Sequence, residues 1–411
     1  MNGKHRTPEV RDVAPGYLGP DFFADPYPFF DRLRACGGPV WSGEEDAWLV
    51  SRHAEVEEVL RDTSLSVRTK RAGRSPISKA MVFQDPPEHT RLRGLIADLF
   101  TPTAVRTLEP RILHHADRLL DAVIDRRRME FVADFALPFP VAVISELMGM
   151  PTDAFARIYE WSRDMFLAPD PDRSRAARDA MTGFMIEVAA GRGTLADGCM
   201  LGALAEARDA GTVSTEELVE TCFSIYFAGH ETTTSLLGSG LFTLLNHPED
   251  HARLADDPGL IPTAIEEMVR YESPLQRGLL RCSTTPTMIG GRAIGAGDEI
   301  VVLLGAANRD PDVFHDAASF RIDRHPNPHI AFGGGPHFCL GAKLARTEAR
   351  IGFERLLKRC GVVRPVGAEP STWRARLRQR FSGRSSHRPF VAARWRPRPM
   401  FRALESLAVE W

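Results

Sequence analysis

One stretch of the chain constrains its structure more than any other: Phe332-Gly-Gly-Gly-Pro-His-Phe-Cys-Leu-Gly341. Its glycines allow sharp turns and let the backbone approach a bulky group closely. A helical pattern begins directly after Cys339, so the free N–H groups and the dipole of a helix N-terminus would stabilise a thiolate there. The stretch therefore predicts a persistent thiolate that faces something large. A buried structural cysteine in a glycine-rich turn is the alternative.

The order Phe-x-x-Gly-x-x-x-Cys-x-Gly, with His337 two positions before the cysteine, resembles the haem-ligand loop of the cytochrome P450 family. The resemblance implies that Cys339 is the thiolate ligand of a haem b iron and that Phe332 and His337 contact the haem, His337 as a propionate partner. A cysteine thiolate pushes electron density towards the iron and favours O–O cleavage. The resemblance also implies the cytochrome P450 fold, which is mainly α with a small β portion.

Composition limits the class of protein further. The chain is 43% hydrophobic and 26% charged, which is ordinary for a soluble globular protein, and its formal charge of -2 argues against nucleic-acid binding. The polar N-terminus leads into no apolar run, so we expect neither a signal peptide nor a membrane anchor. Six cysteines without a Cys-x-x-Cys pair argue against the usual zinc patterns and a disulfide framework, and they favour a reduced, cytoplasmic setting.

Residues 85–89 (Asp-Pro-Pro-Glu-His) predict a helix start, with Asp85 as the cap and proline at the first helical position. His89 and Arg93 are four residues apart and share one face of this helix. A pair on the protein surface would have the same spacing. The segment resembles the propionate-binding helix of the family, which implies that His89 and Arg93 bind the haem propionates.

A long apolar helix is predicted from Ser214, which forms a capping box with the glutamate three residues later. Within it stands the hexapeptide 228–233 (Ala-Gly-His-Glu-Thr-Thr), and a glycine inside a helix costs roughly 1 kcal/mol relative to alanine. One interpretation is a packing glycine beside a kinked turn. The resemblance instead implies that the helix opens at Gly229 to leave a groove for dioxygen beside the cofactor. It also implies that Thr232 hydrogen-bonds the oxygen and that Glu231 helps to relay protons.

The sequence between this helix and the cysteine loop contains Glu-x-x-Arg at Glu267 and Arg270. The spacing alone is weak, because any charged helix face produces it. The family resemblance implies a buried ion network that Arg324 completes. It also makes Arg281 the third propionate partner. Arg277 is less usual, and it either points to solvent or meets an acidic group on the substrate.

Three basic stretches have two interpretations each. Residues 68–80 form either a solvated loop or, by the resemblance, the loop that covers the substrate. Lys343, Arg346 and Arg350 form either a solvated helix face or a docking surface for an acidic ferredoxin. Nine arginines lie between positions 374 and 398, and we expect 374–390 to be an inserted, exposed and disordered segment, with an acidic partner as the second possibility.

Together these motifs, which span residues 85–341, would meet on one cofactor, so we expect residues 1–411 to form a single haem-binding monooxygenase domain. The expected reaction inserts one oxygen atom of dioxygen into an apolar small molecule, as in the bacterial relatives that tailor natural products. Electrons would come from NAD(P)H through a ferredoxin or a similar donor. A peroxide-driven haem-thiolate enzyme and a haem-binding recruitment protein without turnover are the alternatives, and the Glu231–Thr232 pair argues against both.

Overall fold

The computed structural model describes residues 8–75, 77–167, 170–190, 198–368 and 393–411. Helices dominate this part of the chain, as expected. They are α1 Val10–Val13, α2 Pro20–Ala24, α3 Tyr27–Arg34, α4 His53–Arg61, α5 Lys70–Gly73, α6 Glu88–Gly94, α7 Pro102–Asp121, α8 Pro138–Met148, α9 Phe155–Leu167, α10 Pro171–Ala190, α11 Met200–Asp209, α12 Thr215–Asn246, α13 Pro248–Asp256, α14 Ile261–Tyr271, α15 Leu304–Ala307 and α16 Ala342–Cys360. Within the described residues, none of these helices combines the length and apolarity needed to cross a membrane.

The strands are few and short, which confirms the small β portion. They are β1 Val40–Ser42, β2 Ala47–Val50, β3 Leu65–Ser66, β4 Arg128–Glu130, β5 Arg281–Ser283, β6 Thr287–Ile289, β7 Arg292–Ile294, β8 Glu299–Val302, β9 Arg364–Pro365 and β10 Ala408–Glu410. Five of them form a sheet in the order β1-β2-β8-β5-β3, and two smaller sheets have the orders β4-β10-β9 and β6-β7. In the large sheet β2 pairs with β8 in parallel and the other neighbours are antiparallel. This sheet places Arg281 at the start of an inner strand.

The long helix α12 runs through the main core. Its N-cap Ser214 and Glu217 form the predicted capping box. Most residues from Leu218 to Asn246 are buried, which fits a helix that is apolar on nearly all sides. Residues 227–229 and Thr232 are the exceptions, since they keep accessible surface in the middle of the helix. This buried helix thus brings the polar hexapeptide into the interior of the protein.

A buried ion network joins α14 to the segment that leads into the cysteine loop. Glu267 Oε2 lies 2.7 Å from Arg270 Nε, and Arg324 Nε lies 3.0 Å from both carboxylate oxygens of Glu267. Arg270 also donates to the carbonyls of Asn308 and Ala317, both at 2.9 Å. Each guanidinium therefore meets several acceptors, and the network expected from Glu-x-x-Arg is confirmed.

Candidate active site

Cys339 lies in a tight loop that packs against the C-terminal end of α4. Gly335 has a φ of 63°, which glycine adopts without strain, and a Cβ there would clash with the Leu60 carbonyl oxygen. The Cys339 N–H donates to the Phe332 carbonyl (2.9 Å). Helix α16 begins three residues later at Ala342. The loop thus presents the cysteine just before a helix N-terminus, as the sequence predicts.

Opposing effects act on the pKa of the Cys339 thiol. It keeps accessible surface, yet burial among neighbouring atoms raises its pKa. A hydrogen bond from the Gly341 N–H and the charges of Arg93 and Arg346 oppose this rise without cancelling it. The sequence argument considered only the stabilising groups and left out burial, and the thiolate stays a prediction. A coordinated metal deprotonates a thiol outright, so a metal is what would make this side chain a thiolate.

The four side chains predicted to bind propionates gather beside this loop. The ring centroids of His89 and His337 lie 4.2 Å apart, and Arg93 Nη2 donates to a backbone carbonyl of the cysteine loop (2.9 Å). Burial, together with repulsion from His89 and Arg281, lowers the pKa of His337 to about 3. Burial lowers the pKa of Arg281 to about 10. The nearby carboxylate of Asp85 raises both pKa values, but by less than burial lowers them. The four side chains can donate hydrogen bonds to carboxylates, so the cluster fits a group with two carboxylates such as haem.

Asp85 does not cap the following helix, contrary to the prediction. Its carboxylate accepts a hydrogen bond from Ser66 Oγ (2.5 Å) and another from the Val67 N–H (2.9 Å). Helix α6 begins at Glu88 after Pro87, without a side-chain cap. Because two donors of the β3 region satisfy the carboxylate, Asp85 joins that strand to the helix that carries His89. Local sequence held no signal for this long-range contact.

The middle of α12 presents a small accessible face. Ala228 is exposed and Thr232, one turn later, is half-buried. Thr232 Oγ1 donates to the Ala228 carbonyl (2.7 Å). Helix α12 is continuous through Gly229, so the helix is not interrupted there, and a groove for dioxygen stays a prediction. A Cβ on Gly229 would lie 2.8 Å from Ile144 Cδ1 of α8, so close helix packing explains the glycine, and its contact with a cofactor stays a prediction.

Glu231 points away from this face. Its side chain is 4% exposed, and Oε1 accepts a hydrogen bond from Arg398 Nη1 at 2.9 Å. Sequence reasoning missed this partner, because Arg398 is 167 residues away in the chain and meets Glu231 only after folding. The predicted disordered segment 374–390 lies outside the described residues.

Arg277 matches neither of its two interpretations. It is 7% exposed, and its guanidinium donates to Glu45 Oε1 (2.5 Å) and to the Tyr17 hydroxyl. The guanidinium also lies 5.4 Å from the centre of the Tyr17 ring. A half-buried acid in the turn between β1 and β2 therefore holds this arginine.

The expected basic face of α16 is largely neutralised. Arg346 forms a two-pronged contact with Glu266 (2.7 and 2.8 Å), and its guanidinium carbon lies 4.1 Å from the centre of the half-buried Phe332 ring. Arg350 pairs with acidic side chains of α7 and α16 (3.0 and 3.1 Å). Lys343 remains exposed. Arg346 therefore supports the cysteine loop instead of offering a free charge at the surface.

The basic stretch 68–80 is packed and not merely solvated, as far as the structure describes it. Thr69 and Ala72 are buried, and the Lys79 N–H donates to Glu220 of α12 (2.6 Å). Arg178 of α10 donates to the same carboxylate (3.0 Å). This stretch therefore meets α10 and α12 at one buried acid.

Comparison with known proteins agrees with this geometry. The model of the family described as "Cytochrome P450" matches residues 179–257 and 259–374. The chain is 36% identical to cytochrome P450 monooxygenase PikC of Streptomyces venezuelae, over 100% of this chain and 96% of that protein. The crystal structure of P450BioI in complex with hexadec-9Z-enoic acid ligated acyl carrier protein aligns with a TM-score of 0.83 and 32% identity, over 95% of this chain and 99% of that one. The cytochrome P450 PksS of the bacillaene polyketide synthase of Bacillus subtilis 168 aligns with a TM-score of 0.82 and 30% identity, over 96% and 98%.

A cysteine held in a glycine-built loop, next to two arginines and two histidines, is the arrangement that the resemblance to the haem-thiolate enzymes predicts. With full-length relatives at 36% identity, this chain belongs to the cytochrome P450 family and is an oxidoreductase of the monooxygenase type. It has the fold of that family. Membership implies a haem iron cofactor, and the residues around Cys339 fit such a group.

Proposed function

We propose that this enzyme inserts one oxygen atom of dioxygen into an apolar organic substrate, with the other atom leaving as water, in the biosynthesis of a natural product. The observation that carries the proposal is the position of the Cys339 thiol in a loop beside two histidines and two arginines, which can donate hydrogen bonds to two carboxylates. The similarity to a P450 of a polyketide synthase supports the natural-product setting.

The cofactor-binding roles follow from the chemistry of the cluster. Cys339 ligates the haem iron, and the four side chains that bind the propionates are His89, Arg93, Arg281 and His337. The Phe332 ring and the backbone at Gly229 contact the macrocycle. The bound haem supplies the activation of dioxygen, and the protein supplies orientation and control of protons.

Glu231 and Thr232 are the proposed catalytic residues. The Thr232 hydroxyl donates to the Ala228 carbonyl and keeps accessible surface, so it can hydrogen-bond a small oxygen-containing molecule beside α12. The Glu231 carboxylate passes protons from the interior of the protein towards this hydroxyl. General acid–base groups of this kind contribute rate factors of about 100 to 10,000.

The proposal also covers the electron donor, the location of the enzyme and its domain organisation. Electrons come from NAD(P)H through a ferredoxin or a similar donor, and the exposed Lys343 near the cysteine loop supports docking of an acidic partner. The enzyme acts in the cytoplasm, and residues 1–411 form one haem-binding domain, with 374–390 as an inserted basic segment. It binds neither nucleic acid nor membrane.

Two measurements on the haem-loaded enzyme test this function. First, macrolides, fatty acids and cyclic peptides are screened for a change in the haem spin state. Second, a compound that produces the change is turned over with NADPH, a plant-type ferredoxin and its reductase under isotopically labelled dioxygen. We expect one labelled atom in the product. Turnover with hydrogen peroxide alone at an equal rate would favour the peroxide-driven alternative. Binding without any product across the panel would favour the recruitment alternative.

A further inference from the structure

The last described segment of the chain, residues 393–411, forms a hairpin that reaches the middle of α12. Trp395 and Leu404 form an antiparallel bridge across this hairpin. The Trp395 ring packs against Phe242 of α12, with ring centroids 5.3 Å apart. One strand of the hairpin is therefore fixed to the helix that carries the proposed catalytic pair.

Arg402 fixes the opposite strand of the hairpin. Its guanidinium carbon lies 3.5 Å from the centre of the Trp395 ring, and its Nε lies 3.2 Å from Glu272 Oε2. It also donates to the Phe23 carbonyl (2.7 Å). With both strands held by buried contacts, the turn between them, which carries Arg398, has a defined place against α12.

Arg398 is the direct partner of the Glu231 carboxylate. Its Nη1 lies 2.9 Å from Glu231 Oε1, while Arg396 approaches the same oxygen only to 3.9 Å. The Glu231 side chain is 4% exposed and that of Arg398 is 23% exposed, so this charge-assisted hydrogen bond is well shielded from water. Bonds of this kind are stronger than those between neutral groups.

The contact fixes the direction in which the carboxylate points. Consecutive residues of an α-helix project about 100° apart around its axis, so Glu231 and Thr232 leave α12 on different sides. Thr232 lies on the accessible face with Ala228, whereas Glu231 is turned towards the hairpin. The carboxylate can serve the Thr232 face only if its orientation is controlled.

We propose that Arg398 is a positioning residue, which holds the Glu231 carboxylate oriented at the hairpin side of α12 and thereby sets the supply of protons to Thr232. This inference rests on the proton-relay role of Glu231 proposed above. It gives the C-terminal hairpin a part in the reaction, although Arg398 itself contacts neither the cofactor-binding residues nor Thr232 by any described hydrogen bond.

The test uses haem-loaded enzyme with NADPH, a plant-type ferredoxin and its reductase, without added substrate. The rate of NADPH oxidation and the hydrogen peroxide formed per NADPH are measured in H2O and in D2O. We expect Arg398→Ala to slow NADPH oxidation by about tenfold, the scale of one charge-assisted hydrogen bond, and to increase the solvent isotope effect. Arg398→Lys should restore part of the rate, since it keeps a cation in reach. The ferrous–CO spectrum should be unchanged in both variants.

The matched control is Arg394→Ala, in the same hairpin strand. Arg394 is exposed and has no side-chain ion pair with the described residues. Its loss should therefore leave the rate of NADPH oxidation, the hydrogen peroxide formed per NADPH and the solvent isotope effect unchanged. The double variant Arg398→Ala/Glu231→Gln should oxidise NADPH no more slowly than Glu231→Gln alone, because both changes interrupt the same proton path to Thr232. Additive effects, or a normal rate and isotope effect in Arg398→Ala, would overturn the positioning role. A normal rate in Glu231→Gln would instead overturn the proposed relay itself.

Discussion

Burial shifts the pKa of two side chains in this site in a direction that their sequence neighbours do not predict. Cys339 precedes a helix N-terminus and lies near two arginines, yet burial raises the pKa of its thiol. His337 stands in a cationic cluster, and its pKa falls to about 3, first because of burial and then because of repulsion. Both residues were identified from the sequence, but their protonation depends on neighbours that only the fold brings together.

The Thr232 hydroxyl gives a direct prediction at this scale. With a substrate found by the spin-state screen, Thr232→Ala should lower the product formed per NADPH and raise the hydrogen peroxide formed, because the proposed donor beside the accessible face is lost. Thr243→Ala is the control. Thr243 Oγ1 also donates to the carbonyl four residues earlier (2.8 Å), but it lies in the buried part of α12. Unchanged coupling in Thr232→Ala would remove this residue from the mechanism.

A second residue-scale prediction concerns stability in acid. His251 on α13 is fully buried, neither ring nitrogen has a hydrogen-bond partner among the described residues, and burial lowers the pKa of His251 to about 4. Between the ordinary value of 6.5 and about 4, the unfolded chain binds a proton that the folded protein does not. The free energy of unfolding therefore falls as the pH drops through this window, by about 1.4 kcal/mol per pH unit at most.

Removing this histidine should make the protein less sensitive to acid. We expect the urea midpoint of His251→Leu, relative to the parent, to rise progressively as the pH is lowered from about 7 to about 5. His315→Leu, at a side chain that is 86% exposed, is the control and should follow the parent. A constant difference between His251→Leu and the parent at every pH would contradict this explanation.

At the scale of elements, buried acids on α12 connect parts of the chain that are distant in sequence. Glu231 binds the C-terminal hairpin, and Glu220 binds both the 68–80 stretch and α10. Each acid is one side chain on a long rigid helix, so each fixes a neighbouring element relative to that helix. The sequence identified the helix and its cap, because both signals are local. It could not identify these partners, because they lie up to 167 residues away.

The Glu220 contacts predict how the 68–80 stretch is held. In Glu220→Gln the Lys79 N–H and Arg178 lose a charged acceptor, so amide hydrogen exchange should become faster in residues 77–83 and in α10. Exchange measured by mass spectrometry on the haem-loaded enzyme checks this. Glu216→Gln, at an exposed position one turn earlier, should exchange like the parent. Equal exchange rates in the Glu220 variant and the parent would show that other contacts hold the stretch.

For the whole molecule, the ion network of Glu267, Arg270 and Arg324 connects α14 to the chain that leads into the cysteine loop. Glu267→Ala leaves two buried guanidinium groups without their carboxylate, which costs about 3–5 kcal/mol. We therefore expect little haem-loaded protein from this variant, measured as haem absorbance per unit of protein. Glu354→Ala, which breaks a half-exposed pair with Arg350, is the control and should load haem normally. Normal haem content in Glu267→Ala would defeat the structural role of the network.

The sequence predicted the fold class, the cysteine loop, the gathering of two histidines and two arginines beside it and the ion network, because each has a motif with a fixed spacing. It did not predict that Asp85 would bind the β3 region, that Glu45 would hold Arg277 or that Arg398 would reach Glu231. These contacts join residues whose side chains meet only after folding. Gly229 shows the same limit, since a Cβ at this position would lie within 2.8 Å of Ile144 on another helix.

The central claim, that Cys339 is the thiolate ligand of the haem, has one direct test. The reduced, haem-loaded enzyme is exposed to carbon monoxide, and its absorption spectrum is compared with that of Cys339→Ser. We expect the parent to show the red-shifted band of thiolate-ligated haem and Cys339→Ser to lack it. Cys360→Ser, at a buried cysteine at the end of α16, should keep the band. A red-shifted band that persists in Cys339→Ser would contradict the ligand assignment.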